Sequence, residues 1–178
     1  MLSSITVLDI VNKFIEPLHA VSAIEIGTGG GGILAQLQIP NKIGVDNYEP
    51  SIHSAMSSYP GVVFLKYDIL KLREIFMPKS FDVVIGFDIL EHVDPFLVPE
   101  VIETCELLAK KAIVFWLPLE RELSQNPIPE NPGQSHKSIL TLKDFDKRGY
   151  EMIRFPHYWR VSRMDPDVDG LLCFKKVI

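Results

Sequence analysis

The run Ala23-Ile24-Glu25-Ile26 leads straight into Gly27-Thr28-Gly29-Gly30-Gly31-Gly32, and together they carry the residue types needed to hold a nucleotide-like ligand. Glycine takes positive φ without steric cost and lets backbone approach a ligand closely. A strand that ends in such a turn and enters a helix offers amide N–H groups to whatever binds there. Glu25, two residues before the first glycine, narrows the ligand, because a carboxylate repels a pyrophosphate and attracts a cation. Glycine spacing alone decides nothing, since Gly27-x-Gly29-x-x-Gly32 also satisfies the dinucleotide pattern. Further polar residues fall at the carboxyl ends of predicted strands, where open α/β sheets bind ligands. Asp46 ends Ile43-Gly44-Val45-Asp46, with Asn47 beside it, and a carboxylate there can accept from both hydroxyls of a ribose. Its other reading is a solvent-facing residue that opens the next loop. Asp68 follows Lys66-Tyr67 and is either a ligand contact or a helix N-cap for Ile69 onward.

Two stretches resemble one family. Glu25-x-Gly27-x-Gly29-x-Gly31 resembles the first motif of class I S-adenosylmethionine-dependent methyltransferases. Phe81-Asp82-Val83-Val84-Ile85-Gly86-Phe87-Asp88-Ile89-Leu90-Glu91-His92-Val93 resembles their segment in which Phe-Asp opens the fourth strand and Leu-Glu-His-Val follows it. Dinucleotide oxidoreductases have no such pattern at this place. The resemblance covers roughly Ala23 to Leu117, with a weaker echo to the C-terminus. It implies S-adenosyl-L-methionine as cofactor and S-adenosyl-L-homocysteine as product. Glu25, Gly27, Thr28, Gly29, Gly31, Asp46 and Asn47 would then line the cofactor site. Asp68 would meet the adenine amino group, with the Ile69 N–H on the ring, and Phe87 and Asp88 would lie beside the amino-acid portion and the adenosine. Thr28 stands where cysteine or alanine is more frequent. Asp82, at the strand start, has a structural role in this scheme.

The same resemblance turns His92 toward the transferable methyl or the acceptor. It is the first candidate for a general base, with His136 the second, because a histidine pKa of about 6.5 suits proton transfer near neutrality. The bland alternative for His92 is a helix-face histidine satisfied by Glu91 or Asp88. No Asp/Asn-Pro-Pro-aromatic motif and no Pro-Cys follows the fourth strand, which argues against the two common routes of DNA base methylation. The expected activity is methyl transfer to a small-molecule or glycan-type acceptor. Its competitors are a nicotinamide-dependent oxidoreductase and a catalytically silent S-adenosylmethionine-binding subunit.

The elements that must position these residues follow from hydrophobic periodicity. Ser3 or Ser4 is expected to cap a first helix within residues 1–20, distorted or ended at Pro17. Strands are expected at 21–26, 42–45, 62–66, 81–87 and 112–117, alternating with helices at 32–37, 50–58, 70–76 and 95–110. Continuous apolar strands alternating with helices mean a parallel sheet covered on both faces. A helix from a Thr141 cap to Arg148 and two strands, 150–155 and 171–177, complete the chain. The expected architecture is α/β: a doubly wound, mostly parallel seven-stranded sheet in three α/β/α layers. The resemblance implies that the last strand is antiparallel. All 178 residues fit one domain.

Pro118 to Ser138 is long, polar and proline-rich, and reads as a substrate loop or lid at the cofactor rim. Arg154-Phe155-Pro156-His157-Tyr158-Trp159-Arg160, with Arg163, reads either as an acceptor-stacking surface or as an edge strand with solvated arginines. A net charge of −5 argues against general nucleic-acid binding. Cys105 and Cys173 sit in apolar patterns and read as buried thiols. No cysteine or histidine cluster of metal-binding spacing is visible, so no metal is expected. Asp9, Lys13 and Glu16 interrupt the apolar N-terminus, which therefore reads as neither signal peptide nor membrane span. A cytoplasmic protein is expected, with its oligomeric state open.

Overall fold

Every residue from Phe81 to Phe87 is buried, and this apolar strand is the axis of the sheet. The computed structural model describes residues 6–119, 130–156, 158–159, 164–165 and 168–177. Their order is α1 (Val7–Ile15), β1 (Ser22–Ile26), α2 (Gly32–Gln36), β2 (Asn41–Asp46), α3 (Glu49–Ser58), β3 (Val63–Lys66), α4 (Leu72–Ile75), β4 (Phe81–Phe87), α5 (Val98–Leu108) and β5 (Ala109–Leu119). After residue 130 come α6 (Leu142–Asp146), β6 (Glu151–Phe155), β7 (Tyr158–Trp159), β8 (Met164–Asp165) and β9 (Asp169–Lys176). The main sheet runs β3-β2-β1-β4-β5-β9-β6, and β7 pairs with β8 in a separate ribbon. Strands β1 to β5 are mutually parallel, and β9 lies antiparallel between β5 and β6. The expected seven-stranded, mostly parallel sheet is therefore what forms.

The period-2 alternation of a strand sorts side chains onto two cores. Ile24, Ile26, Val84, Ile113 and Phe115 face α5 and α6. Ala23, Val83, Ile85, Val114 and Trp116 face the other way, against Val11 and Ile15 of α1, Leu34 of α2 and Ile52 of α3. Helices thus cover both faces. Helix α5 presents Val98, Val101, Ile102, Cys105 and Leu108, a stripe at helical spacing, with a proline in its first turn. Both cysteines are buried free thiols, and burial pushes each thiol pKa up.

Several boundaries differ from expectation. The α1 cap is Thr6, whose hydroxyl accepts the Asp9 N–H at 3.1 Å while Asp9 takes the Thr6 N–H at 2.8 Å. Ser3 and Ser4 lie outside the described residues. The fourth helix is a 3₁₀ turn, Ile69–Lys71, followed by one short α-turn. Strand β5 runs on through Pro118 to Leu119 because β9 pairs with it along this length. Helix α6 stops at Asp146, and Gly149 at φ +74° turns the chain into β6. No helix among the described residues is long and apolar enough to cross a membrane.

Sheet order reverses between β1 and β4, so the carboxyl ends of these strands flank a crevice. The opposite sheet edge is clamped by Asp82. Its carboxylate accepts the Val21 N–H at 2.7 Å and lies 3.3 Å from Lys111 Nζ, while its own N–H donates to Ser22 Oγ at 2.9 Å. Burial works against the charge, but these partners hold the Asp82 pKa below the ordinary carboxylate value. Replacing Asp82 by alanine should leave the Val21 N–H without its acceptor and cost about 1–3 kcal/mol of stability. Chemical denaturation measures this, and an unchanged midpoint would refute the clamp.

Candidate functional site

Three glycines in left-handed conformation shape the turn after β1: Gly27 at φ +66°, Gly29 at +50° and Gly31 at +76°. At Gly27 space is as restrictive as φ, since a Cβ there would stand 2.4 Å from the Ile89 side chain. Gly29 and Gly30 face open space. Beneath the turn lies Glu25, only 2% exposed. The Thr28 hydroxyl donates to Glu25 Oε2 at 2.6 Å, and a backbone hydrogen bond from Leu34 reaches the same carboxyl. Burial pushes the Glu25 pKa up to about 8, against the pull of these two hydrogen bonds, and the negative charges of Asp46 and Asp88 raise it further. Glu25 therefore braces the turn from below.

Strand β2 delivers Asp46 to the same place. One Asp46 oxygen accepts the Gly29 N–H at 2.9 Å and the other accepts the Tyr48 N–H at 2.8 Å. These bonds tie β2 to the glycine turn and leave the carboxylate half-buried, with Asn47 exposed beside it. Asp68, at the end of β3, takes the N-cap position and accepts the Leu70 N–H at 3.0 Å. Phe87 is buried at the end of β4. Asp88 follows at φ +51°, a conformation seldom adopted outside glycine, and its N–H donates to Trp116 O at 2.9 Å. The sharp turn this creates sends Ile89 against Gly27 and Gly86.

The two candidate histidines come together. Their rings pack edge-to-face with centroids 4.8 Å apart. His92 ends the short turn Leu90–His92, and His136 comes from the returning segment. That segment is fastened to the first: Lys137 N–H and Ser138 N–H both donate to Glu91 O, at 2.7 and 3.0 Å, and Ser138 Oγ donates to Val93 O. Of the expected lid, 118–119 belongs to β5 and 120–129 lies outside the described residues. Glu91 and His136 are buried.

Arg154 lies on β6, at the edge of the sheet. It pairs with Asp169, while Phe155 packs edge-on against Trp116 at 5.5 Å. His157, Arg160 and Arg163 lie outside the described residues. Two contributors escaped sequence reasoning. Gly44 leaves room for Thr28 Oγ1, which would stand 2.7 Å from a Cβ there, and Gly86 leaves room for Ile89. Glu91, named from the sequence only as a partner for His92, is buried and also anchors the returning segment through its carbonyl.

No family model matches the chain, and no curated protein matches it in sequence. Solved structures do match in shape. Magnesium protoporphyrin IX methyltransferase from Synechocystis PCC 6803 with bound S-adenosylmethionine superposes with a TM-score of 0.63 at 15% identity, over 94% of this chain and 77% of that one. A putative sarcosine dimethylglycine methyltransferase from Galdieria sulphuraria gives 0.66 at 10% identity, over 95% and 83%. The N-methyltransferase NodS from Bradyrhizobium japonicum WM9 gives 0.61 at 12% identity, over 93% of each chain. At these identities the likeness is one of fold: the chain has the class I S-adenosylmethionine-dependent methyltransferase fold.

The raised Glu25 pKa carries a stability signature. Between about pH 4.5 and pH 8 the folded chain holds a proton that the unfolded chain has released, so stability should fall as pH rises through this window. Each pKa unit corresponds to about 1.4 kcal/mol. Thermal unfolding of the wild type should weaken from pH 5 to pH 8, and Glu25→Gln should remove most of that slope. Equal slopes in the two proteins would refute the assignment.

Proposed function

We propose that this chain transfers a methyl group from S-adenosylmethionine to a small-molecule or glycan-type acceptor. The observation that carries the reading is the acidic character of the glycine turn. Glu25 lies beneath it, and Asp46 and Asp88 are close enough to bias its charge. Such a site suits a donor with an α-ammonium and a sulfonium, and opposes a diphosphate. The fold shared with the Synechocystis enzyme supports the same reading.

On this reading the open surface at Gly29 and Gly30 receives the amino-acid part of the donor, with Gly27, Thr28 and Gly31 shaping the turn. Asp46, with Asn47 beside it, accepts from the ribose hydroxyls, keeping its hold on Gly29 through the remaining lone pairs. Asp68 and Ile69 meet the adenine, and Phe87 and Asp88 border the donor from β4. A cation beside Glu25 favours the ionised carboxylate, so donor binding near pH 7 expels the proton that burial holds there.

The transfer itself is an in-line displacement. A bond forms between the acceptor's nucleophilic atom and the methyl carbon, the carbon–sulfur bond breaks, and the sulfonium becomes a neutral thioether. The donor is already activated, so alignment supplies much of the rate, about 7–11 kcal/mol for well-oriented reactants. His92 and His136 are assigned to the acceptor side, where an acceptor's proton must be managed. The net charge of −5 supports an acceptor that is not a nucleic acid.

Calorimetric titration separates this reading from its rivals. S-adenosylhomocysteine should bind while NADH does not, and Glu25→Ala should weaken S-adenosylmethionine binding about tenfold or more. Binding of NADH in preference would return the chain to the dinucleotide class. S-adenosylmethionine binding without S-adenosylhomocysteine release across a panel of alcohols, amines and sugars would mark a silent cofactor-binding subunit instead.

A further inference from the structure

Glu91, His92 and His136 each point a potential ligand atom into one small volume, the three atoms lying within 4.8 Å of one another. The arrangement is built from two chain segments. The Lys137 and Ser138 amides clip the His136 segment onto Glu91 O, and Ser135 O stands 3.1 Å from His92 Nδ1. A carbonyl oxygen can only accept, so the His92 Nδ1 in this contact carries the hydrogen. Metal-binding histidines are typically oriented by such a contact on the ring nitrogen that does not face the ion. Glu91 is 2% exposed and His136 6%, so the cluster lies below the surface, shielded from bulk water.

We propose that Glu91, His92 and His136 form a binding site for one divalent transition-metal ion of the zinc type. Two imidazoles and one carboxylate match borderline cations, whereas magnesium prefers oxygen ligands and water. Three protein ligands leave a coordination position open, as in catalytic rather than structural zinc sites. The site follows directly on the end of β4, whose Ile89 packs against Gly27, so it shares the sheet edge of the glycine turn. On the methyl-transfer reading, the open position takes an oxygen of the acceptor and lowers that oxygen's pKa. That role rests on the reading above, whereas the metal site itself does not. With both histidines as ligands, the cation, and not a free imidazole, acidifies the acceptor.

Tag-free protein, stripped with a chelator and dialysed, should bind one equivalent of Zn²⁺ in a calorimetric titration and bind Mg²⁺ far more weakly. His92→Ala and His136→Ala should each weaken Zn²⁺ binding about tenfold or more, with circular dichroism confirming that they fold. Should either variant fail to fold, Co²⁺ loaded into the wild type gives the answer. Its visible spectrum should show nitrogen and oxygen ligation with no thiolate charge-transfer band from Cys105 or Cys173. Absence of stoichiometric Zn²⁺ binding, preference for Mg²⁺, unaltered binding in folded variants, or a thiolate band would each overturn the proposal. S-adenosylhomocysteine titrated into the metal-free protein reports separately on the methyl-transfer reading.

Discussion

The arrangement at the sheet edge depends on one buried carboxyl. Glu25 reaches up from β1 into the underside of the glycine turn, where the Thr28 hydroxyl meets it at 2.6 Å. A carboxyl so deeply desolvated has its pKa pushed up to about 8. The hydrogen bond is possible only because neighbouring strands yield space. Gly44 of β2 stands under Thr28, and Gly27 admits the Ile89 side chain from the turn after β4. Three strand ends are thereby locked into one surface by contacts that allow no extra methyl group.

That surface has two chemically distinct halves. The ends of β1 and β2 carry Glu25 and Asp46 beside backbone amides held in left-handed turns. The turn beyond β4 carries Glu91 and His92, joined by His136 from the returning segment. Asp88 sits between them in its own left-handed conformation, anchored by its amide to Trp116 of β5. Backbone held in such a region persists where the surroundings over-determine it, and here the surroundings are a strand pair on one side and Ile89 packing on the other. On the proposed reading, one half holds the donor and the other half the acceptor, with the reaction at their seam.

Much of this was legible from residue order. Valine- and isoleucine-rich runs separated by helical stripes announce a parallel sheet, and strand β4 lies where its apolar run lies, Phe81 to Phe87. The acids at the carboxyl ends of β1, β2, β3 and β4 could be placed on one edge because parallel strands put all their carboxyl ends together. Less legible were features decided by competition between close alternatives. Thr6, and not an earlier serine, caps α1 because its partner Asp9 completes a reciprocal pair of hydrogen bonds. Asp68 serves the cap of a 3₁₀ turn, a local bond available whether or not a ligand is present.

Sequence by itself determined the layer architecture and the edge that carries the candidate site, because periodicity and glycine placement act over a few residues and require no knowledge of distant neighbours. Tertiary structure alone decided how the site's members meet. Glu25's burial depends on Thr28 fitting over Gly44, and the union of His92 with His136 depends on backbone bonds from Lys137 and Ser138 to Glu91. Such encounters between remote segments are set by how the packed chain closes on itself, and no local pattern encodes them.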